Sequence, residues 1–513
     1  MTQAPNPDLA TAAVQALPAC WDLWPVADAM RLGVVVVHEG GSLRALTPNV
    51  EDDLLRAAVR LRVGRPLAWQ RIDPRELETL LSLGERAYQA MDNVSASQDG
   101  PAGDTQDGIE LSIQSMSDET SQVVRLLDAT VYEALKSGAS DLHLESTIQG
   151  LTIRYRLDGV MVKVGEVPGR AAAEQLVSRL KVVAGLDIGE RRLPQDGRFK
   201  RRVGAGGEAR DVDFRVSIMP SSFGEDAVVR LLDRAKLAEA HSGLTLDRLG
   251  FEKEDAGQIL KLATRPYGML LVTGPTGSGK TTTLYGIVAQ TLADGDKLIT
   301  IEDPVEYQLP GVVQIPVNEK KGLTFAKGLR SVLRHDPDKI MVGEIRDTET
   351  AQIASQAALT GHLVLTTVHA NNAIDVVGRF MHMGLDLYNV MSSLNGVVAQ
   401  RLMRKLCTHC AQPFEPDPEQ RRRAGLAGAA GFFRRAVGCG ACRGTGYHGR
   451  RAIAEVLVMD DRVRHLIVSR QPLMEVKAQV RANGTRFLRD AALACVSRGE
   501  TSLEELDRVT QAD

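Results

Sequence analysis

The sequence predicts a multidomain protein of the α/β class, and three observations carry that prediction. The chain has 513 residues, enough for about three or four domains of roughly 150 residues each. Between about residues 250 and 400, apolar strand-like runs alternate with helical segments, which is typical of a parallel sheet covered by helices. A glycine-rich loop joins one such run to a helical segment.

Composition limits the possible function classes. Apolar residues make up 43% of the chain and charged residues 25%, as in ordinary soluble proteins. A net charge of -3 and an aromatic content of 4% argue against a nucleic-acid-binding surface. The first residues lack the pattern of a secretory signal, and no apolar run approaches the roughly 20 residues that span a bilayer. We therefore expect a cytoplasmic protein that reaches a membrane only through partners or a surface patch.

Pattern changes along the chain suggest six parts. A small N-terminal domain is followed by a flexible linker rich in Asp, Ser and Gly, a mixed α+β domain, the alternating α/β domain, a cysteine-bearing module and a helical C-terminal part. Their predicted ranges are 1–90, 91–119, 120–240, 241–400, 401–455 and 456–513. Within them we predict a strand at Val34–Val37, a helix over Glu51–Leu61 and a hairpin turn at Asp158-Gly159.

The segment "GPTGSGKTT" matches the P-loop pattern, Gly274-x4-Gly279-Lys280-Thr281. Such glycines let backbone N–H groups surround phosphates, and the following helix directs its positive end at the same anion. Lys280 can neutralise phosphate charge, and the Thr281 hydroxyl can ligate Mg²⁺. The predicted nucleotide-binding residues of this loop are Gly274, Pro275, Thr276, Gly277, Ser278, Gly279, Lys280, Thr281 and Thr282.

Two acidic sites follow strands of the predicted sheet. Glu302-Asp303 ends the apolar run of "KLITIEDPVEY", and Glu344 follows that of "KIMVGEIRD". Ligands of open parallel sheets bind at the carboxyl ends of strands, so both sites share an edge with the loop. The alternative for each acid is a buried or capping carboxylate.

Two histidines bracket a third strand, in "GHLVLTTVHAN". His369, at the carboxyl end, is the better candidate for sensing a γ-phosphate. The strand places His362 about 23 Å away, where a structural or interface role is as plausible as a catalytic one.

Four of the six cysteines form two CxxC pairs, Cys407/Cys410 and Cys439/Cys442. Four thiolates in this arrangement predict a closed, structural Zn²⁺ site, with the intervening residues forming an excursion of their own. Free or redox-active thiols are the alternative. His409, between the first pair, is expected at the surface.

Together these motifs resemble a known family. "GPTGSGKTTT", "TIEDPVEY", "LRHDPDKIMVGEIRD" and "GHLVLTTVHAN" are similar to the Walker A, Asp box, Walker B and His box of the type II/IV secretion and type IV pilus ATPases. The resemblance begins near Thr120, is strongest to the type II secretion members and includes the cysteine module. It implies a RecA-like ATPase domain behind a PAS-like domain, assembled as a homo-hexamer, with ATP and Mg²⁺ between the two domains.

The resemblance also implies individual roles. Glu344 polarises the attacking water, while Glu302 and Asp303 organise Mg²⁺ together with Thr281. Four arginines are expected to reach the phosphates: Arg198, Arg215, Arg330 and Arg334. Helical spacing also predicts that Arg330 and Arg334 share one helix face. Ile218 occupies a position where the family pattern leads us to expect a hydroxyl residue.

The family relationship implies partners as well. The N-terminal domain is expected to dock on inner-membrane platform proteins, and arginine clusters near the cysteines could contact anionic lipid. A type IV pilus assembly motor shares every motif and is the main alternative. A nucleic-acid translocase on the same core and a nucleotide-gated scaffold without useful turnover are the others.

Overall fold

A computed structural model describes residues 19–21, 23–39, 42–87, 110–111, 121–205, 208–233, 244–426 and 431–510. The chain divides into two compact units, Met1–Ala235 and Lys236–Asp513. The predicted linker over 91–119 lies outside the described residues except for 110–111. Within the described ranges, no helix is both long and apolar enough to cross a membrane.

The N-terminal part of the first unit is a small α/β module. Strands β1 and β2 pair antiparallel, and β2 and β3 pair parallel. The predicted strand and helix are confirmed as β1 and α2, and the Asp52 carboxylate caps α2 by accepting from the Leu55 N–H at 3.0 Å. The elements are α1 (Val26–Leu32), β1 (Val35–Glu39), β2 (Ser42–Thr47), α2 (Asp53–Val63), β3 (Leu67–Arg71) and α3 (Pro74–Ala87).

The rest of the first unit is a seven-stranded sheet with strand order β4-β8-β9-β10-β5-β6-β7. All its neighbours pair antiparallel except β4 and β8. The hairpin turn is confirmed at Asp158 and Gly159, whose φ angles of 47° and 84° suit a primed turn. The elements are β4 (Glu110–Leu111), α4 (Gln122–Lys136), β5 (Asp141–Thr147), β6 (Gly150–Leu157), β7 (Val160–Pro168), α5 (Arg170–Val183), β8 (Gln195–Ala205), β9 (Glu208–Ser221) and β10 (Gly224–Leu232).

The second unit contains the predicted parallel sheet, with strand order β13-β12-β14-β15-β11-β16-β19. Every pair is parallel except β16 with β19. Its first elements are α6 (Lys253–Ala263), β11 (Gly268–Thr273), α7 (Lys280–Thr291), β12 (Leu298–Glu302), β13 (Val313–Pro316), α8 (Phe325–Val332), β14 (Lys339–Val342), α9 (Thr348–Leu359), β15 (Leu363–Val368), α10 (Asp375–His382), α11 (Leu387–Ser393) and β16 (Leu394–Leu406). The later ones are β17 (Gln412–Pro413), α12 (Pro418–Ala424), β18 (Arg434–Arg435), β19 (Tyr447–Val458), α13 (Asp461–Val468), α14 (Leu473–Ala482), α15 (Leu488–Ser497) and α16 (Leu503–Val509).

Helices cover both faces of this sheet. All residues of β11, β12 and β15 are buried, which explains why these strands are continuously apolar rather than alternating. One core contains α6 and α7 side chains, and the other contains side chains of α8, α9 and the C-terminal helices. The carboxyl ends of β11, β12, β14 and β15 therefore meet at one edge of a three-layer body.

The cysteines lie in an excursion between two paired strands, β16 and β19. The range proposed for the cysteine module thus begins and ends within sheet strands. At the base of the excursion, the fully buried Glu505 of α16 accepts from Arg404 and Arg508 at 2.6–3.0 Å. This buried ion-pair cluster fixes the last helix against the end of β16.

Candidate nucleotide site and metal centre

The predicted phosphate loop connects β11 to α7, as the motif requires. Its glycines adopt conformations that favour glycine, with φ of 148° at Gly274, 78° at Gly277 and 85° at Gly279. A Cβ atom on Gly274 would lie 2.4 Å from the carbonyl oxygen of Gln400 and 2.6 Å from the Ser278 hydroxyl. The loop is therefore a close-packed backbone cradle that larger residues would distort.

Polar groups of the loop fit a bound phosphate. The Ser278 hydroxyl is buried, yet it has no hydrogen-bond partner among the described residues, and a buried polar atom of this kind normally has one. The Lys280 ammonium donates to the carbonyls of Gly274 and Pro275, at 3.1 Å each. Burial lowers the pKa of Lys280, and the nearby Glu344 carboxylate opposes that shift. Thr281 lies exposed at the rim.

An arginine joins the two acidic segments. Arg346 donates to Glu344 and, at 3.3 Å, to Asp303. Glu344 lies one residue beyond Gly343, which follows the end of β14, and only 19% of its side chain is exposed. β11 and β14 both pair in parallel with β15, so the phosphate loop and Glu344 follow strands that end at the same edge of the sheet. Both acidic segments and the loop are thus brought together at the predicted sheet edge.

Glu302 has a different environment from Asp303. Its side chain is 2% exposed, and its carboxylate accepts from the Tyr285 hydroxyl, from Thr300 at 2.5 Å and from Gln314 at 3.1 Å. Tyr285 belongs to α7, so the network links this acid to the helix that follows the phosphate loop. The carboxylate of Glu302 thus accepts hydrogen bonds from neutral donors, whereas Asp303 is exposed.

The histidines flank β15 as predicted, with different surroundings. His369 lies 3.3 Å from Glu344, nitrogen to oxygen, and about half of its side chain is exposed. At the other end of the strand, the Nδ1 atom of His362 contacts the Ala357 carbonyl at 3.1 Å, where α9 ends. His362 therefore contacts the end of α9, whereas His369 contacts the acid that follows β14.

The four candidate arginines lie in two places. Arg330, on α8, forms an ion pair with Glu349 at 2.6 Å. The prediction that Arg330 and Arg334 share a helix is wrong, because α8 ends at Val332. Arg334 follows in a turn and donates to the Arg330 carbonyl at 2.9 Å.

Arg198 and Arg215 belong to the first compact unit. They are directly opposite each other on β8 and β9, and Arg230 of β10 is opposite Arg215. Like charges in such positions repel. Arg230 already pairs with Asp141 at 3.0 Å, so the exposed Arg198 and Arg215 are the members of the row that suit an anion. Ile218 alternates to the other face and is fully buried. A hydroxyl residue at that position would be in the core, so Ile218 removes no polar contact from the arginine face.

A buried acid connects the His-box segment to the C-terminal helices. Glu455 of β19 accepts from the Ala373 N–H at 3.2 Å and from the Leu488 N–H, at the start of α15, at 3.4 Å. Burial raises the pKa of this carboxyl from its usual value to about 6, against the lowering effect of those two N–H groups.

Glu455 should make folding stability depend on pH. Because its pKa is raised on folding from 4.5 to about 6, the folded state loses up to about 2 kcal/mol as pH rises through that window. The loss is complete above about pH 7 and nearly absent below about pH 4. We expect the difference in unfolding free energy between wild type and Glu455→Gln to change by about 1 kcal/mol between pH 5 and pH 7.5. Parallel urea titrations of the two proteins test this, and a constant difference would contradict it.

The four cysteines come together as predicted, with their sulfur atoms all within 4.8 Å of one another. Three Sγ–Sγ distances are 3.9, 3.8 and 3.7 Å. Zinc with four bonds of about 2.3 Å in tetrahedral geometry requires sulfurs about 3.8 Å apart, whereas a disulfide requires about 2.05 Å. The donor set therefore fits Zn²⁺ and not a disulfide.

The surroundings of the cysteines favour a thiolate at Cys442 but not at Cys410, where burial raises the pKa of the thiol to about 11. Cys439 and Gly446 each donate a backbone N–H to the Cys442 sulfur at 3.1 Å. Burial alone would raise the pKa of Cys442, but these donors outweigh it and lower the pKa to about 7. The excursion between the pairs contains β17, α12 and β18, and His409 is exposed as expected.

Sequence reasoning missed three polar side chains of the site: Arg346, Tyr285 and Gln400. Arg346 stands within the quoted Walker B segment, two residues after Glu344. Tyr285 lies four residues after Thr281, one helical turn along α7. Gln400 interrupts the apolar run "GVVAQ", and a polar residue inside a buried strand is the signal that could have identified it.

Comparisons with known proteins agree with the motifs. The family of type II/IV secretion system proteins matches residues 116–508. The chain is 46% identical over 396 residues to the type II secretion system ATPase E of Vibrio cholerae, covering 77% of this chain and 76% of that protein. It is 42% identical over 391 residues to the type IV pilus assembly ATPase PilB of Thermus thermophilus, covering 76% of this chain and 43% of that protein.

A solved structure shares the fold. The ATPase DotB of Yersinia pseudotuberculosis is similar with a TM-score of 0.54 and 20% identity, covering 75% of this chain and 93% of that one. The residues matched by the family include the phosphate loop, both acidic segments, the His-box strand and all four CxxC cysteines.

Proposed function

This chain belongs to the family of type II/IV secretion system proteins, and from that premise we propose that it is the ATP-hydrolysing motor of a type II secretion system. One observation carries the proposal. A phosphate loop, a half-buried lysine and two acidic segments joined by Arg346 converge at the carboxyl edge of one parallel sheet. That arrangement suits phosphoryl transfer to water.

We propose that the loop binds ATP through its backbone N–H groups, the Ser278 hydroxyl and Lys280. Lys280 contacts only carbonyl oxygens in the described structure, so a phosphate can attract it without first breaking an ion pair. Bound Mg²⁺ supplies positive charge at the β- and γ-phosphates. Thr281 and the exposed Asp303 are the groups best placed to ligate it. Glu302 supports the site indirectly, because its carboxylate accepts a hydrogen bond from Tyr285 of α7.

Glu344 is proposed as the residue that polarises the attacking water. One of its carboxylate oxygens contacts Arg346 and the other contacts His369. An incoming γ-phosphate competes with Glu344 for both side chains, which frees the carboxylate for a water molecule. Arg330, Arg334, Arg198 and Arg215 are proposed to stabilise phosphate charge in the assembled protein, as Arg is suited to do.

Three finer points belong to the same proposal: assembly as a homo-hexamer, docking of residues 1–90 on inner-membrane platform proteins, and a cytoplasmic site of action.

Anionic lipid is a weaker candidate partner, because several of the basic residues near the cysteines already have partners within the chain. Arg404 pairs with Glu505, Arg421 with Glu415 and Arg423 with Asp507.

Activity should depend on assembly. If neighbouring subunits supply arginines to each site, the ATPase rate per subunit should rise by tenfold or more as the full-length protein is concentrated through its association range. Sedimentation on the same samples gives the oligomeric state. A rate per subunit that stays constant while oligomers form would contradict the proposed motor, and Lys280→Ala is the control for contaminating ATPases.

A type IV pilus assembly motor is the second candidate, favoured by the 42% identity to the Thermus thermophilus pilus ATPase. The site residues are common to both machines, so they cannot separate the two. Capture of the full chain by platform proteins of one machine and not of the other distinguishes them.

A further inference from the structure

One polar side chain is completely enclosed beside the phosphate loop. Gln400 lies on β16, is 1% exposed and directly follows the buried residues Val397, Val398 and Ala399. An amide buried in this way costs free energy unless both of its ends are hydrogen-bonded. Both are: Nε2 donates to the Ser278 carbonyl at 2.7 Å, and Oε1 accepts from the Thr283 hydroxyl at 2.8 Å.

The two partners of Gln400 belong to the two parts of the phosphate site. Ser278 is in the loop, and Thr283 is in the first turn of α7. Gln400 therefore ties the loop and the helix to β16, the strand that pairs with β11 in the sheet. Neither partner atom is among those expected to contact a nucleotide, so the contacts of Gln400 are compatible with an occupied site.

The bond to Ser278 fixes the orientation of one loop peptide. In a trans peptide the C=O and the following N–H point in opposite directions. Holding the Ser278 carbonyl toward β16 consequently directs the Gly279 N–H away from the sheet interior, toward the phosphate side of the loop. Backbone N–H groups of this kind bind the phosphates in a P-loop.

Steric contacts reinforce the orientation of the peptide between Ser278 and Gly279. A Cβ atom on Gly279 would lie 3.0 Å from Gln400 Nε2, and one on Gly274 would lie 2.4 Å from the Gln400 carbonyl oxygen. Two glycines of the motif thus pack directly against this residue. The loop conformation and Gln400 depend on each other.

We propose that Gln400 is a positioning residue that preorganises the phosphate loop for nucleotide binding. The inference rests on the proposed function, since it requires that the loop binds ATP. Preorganisation contributes to affinity because the loop does not have to be ordered by the ligand. Loss of Gln400 should therefore raise the Kd for Mg–ATP and Mg–ADP by about tenfold. KM should rise similarly, while kcat at saturation stays within about threefold.

A set of four variants of the full-length protein separates positioning from general stability. Gln400→Ala removes both contacts, and Gln400→Glu retains an acceptor for Thr283 but has no N–H for Ser278. Thr283→Val removes only the hydroxyl contact and should weaken binding by about two- to threefold, whereas Thr283→Ser restores that contact and should bind like wild type. Gln290→Ala is the matched control, because Gln290 is exposed on the same helix and donates to the Gly286 carbonyl, away from the loop.

The measurements are calorimetric titration with Mg–ADP and Mg–ATP, KM and kcat, and thermal unfolding without nucleotide. The proposal expects weaker binding by Gln400→Ala and Gln400→Glu with little change in unfolding of the free protein. Binding within twofold of wild type by folded Gln400→Ala overturns it. If that variant does not fold, equal affinity of Thr283→Val and Thr283→Ser overturns it instead. Failure of wild type itself to bind either nucleotide overturns the proposed function together with this inference.

Discussion

Replacing Glu344 by Gln should abolish ATP hydrolysis while leaving ATP binding nearly intact. The substitution retains the size of the side chain and its ability to accept hydrogen bonds, but it removes the charge that polarises water. Positioned acid–base groups typically contribute 10²- to 10⁴-fold in rate. We therefore expect kcat for phosphate release to fall by at least about 100-fold, with Kd for Mg–ATP changed by less than about threefold.

The surroundings of Glu344 explain why the substitution should slow hydrolysis without weakening ATP binding. Its charge is shared with Arg346 and His369, and neither contact holds the phosphate loop in place. The loop is supported instead by β11, α7 and Gln400. Glu254→Gln, which alters an exposed acid on α6, is the control for a nonspecific loss of negative charge. A Glu344→Gln variant that binds ATP poorly would show that this carboxylate supports the site rather than the chemistry.

Removing one zinc ligand should unfold the excursion between the CxxC pairs. Structural zinc contributes on the order of 10 kcal/mol to such modules, and the short strands β17 and β18 have only two residues each. We expect wild type to bind one zinc ion per chain and Cys407→Ser to lose it. In the variant, residues 411–438 should become rapidly cleaved by protease, as metal analysis and limited proteolysis will show.

His409→Ala is the matched control for the metal prediction, because His409 is exposed within the same CxxC segment. It should retain zinc and protease resistance. Nucleotide binding should survive in Cys407→Ser, since no cysteine contacts the phosphate loop in the described part of the chain. Wild-type protein purified without chelators that contains no zinc would contradict the assignment of the four thiolates.

The main elements of the fold could be predicted from local patterns. Continuous apolar runs identified β11, β12, β14 and β15, because strands covered on both faces need apolar residues throughout. The antiparallel pairing of β16 with β19 could not be predicted, because the cysteine excursion separates these strands by 40 residues. Nothing local to either strand specifies its partner. Helical spacing also predicted wrongly that Arg334 belongs to the helix of Arg330, because α8 ends at Val332.

The candidate site was predicted less completely than the fold. Spacing identified the loop, the acids and the cysteines, because those chemical groups recur in fixed patterns. Which acid is buried depends on tertiary contacts: Glu302 and Asp303 are adjacent in sequence, yet only Glu302 meets Tyr285 and Gln314. Gln400 contacts residues that are distant in the chain, and Arg346 joins its near neighbour Glu344 to the distant Asp303, so no local motif marks these contacts.

The most direct test of the account is hydrolysis of bound ATP in a single turnover by the assembled full-length protein. Wild type and Glu344→Gln are loaded with labelled Mg–ATP at equal occupancy, and the conversion to ADP is followed over time. We predict conversion by wild type and a rate at least about 100-fold lower in the variant. Equal rates in the two proteins, or no conversion by wild type, would contradict the central claim that Glu344 activates water at this phosphate loop.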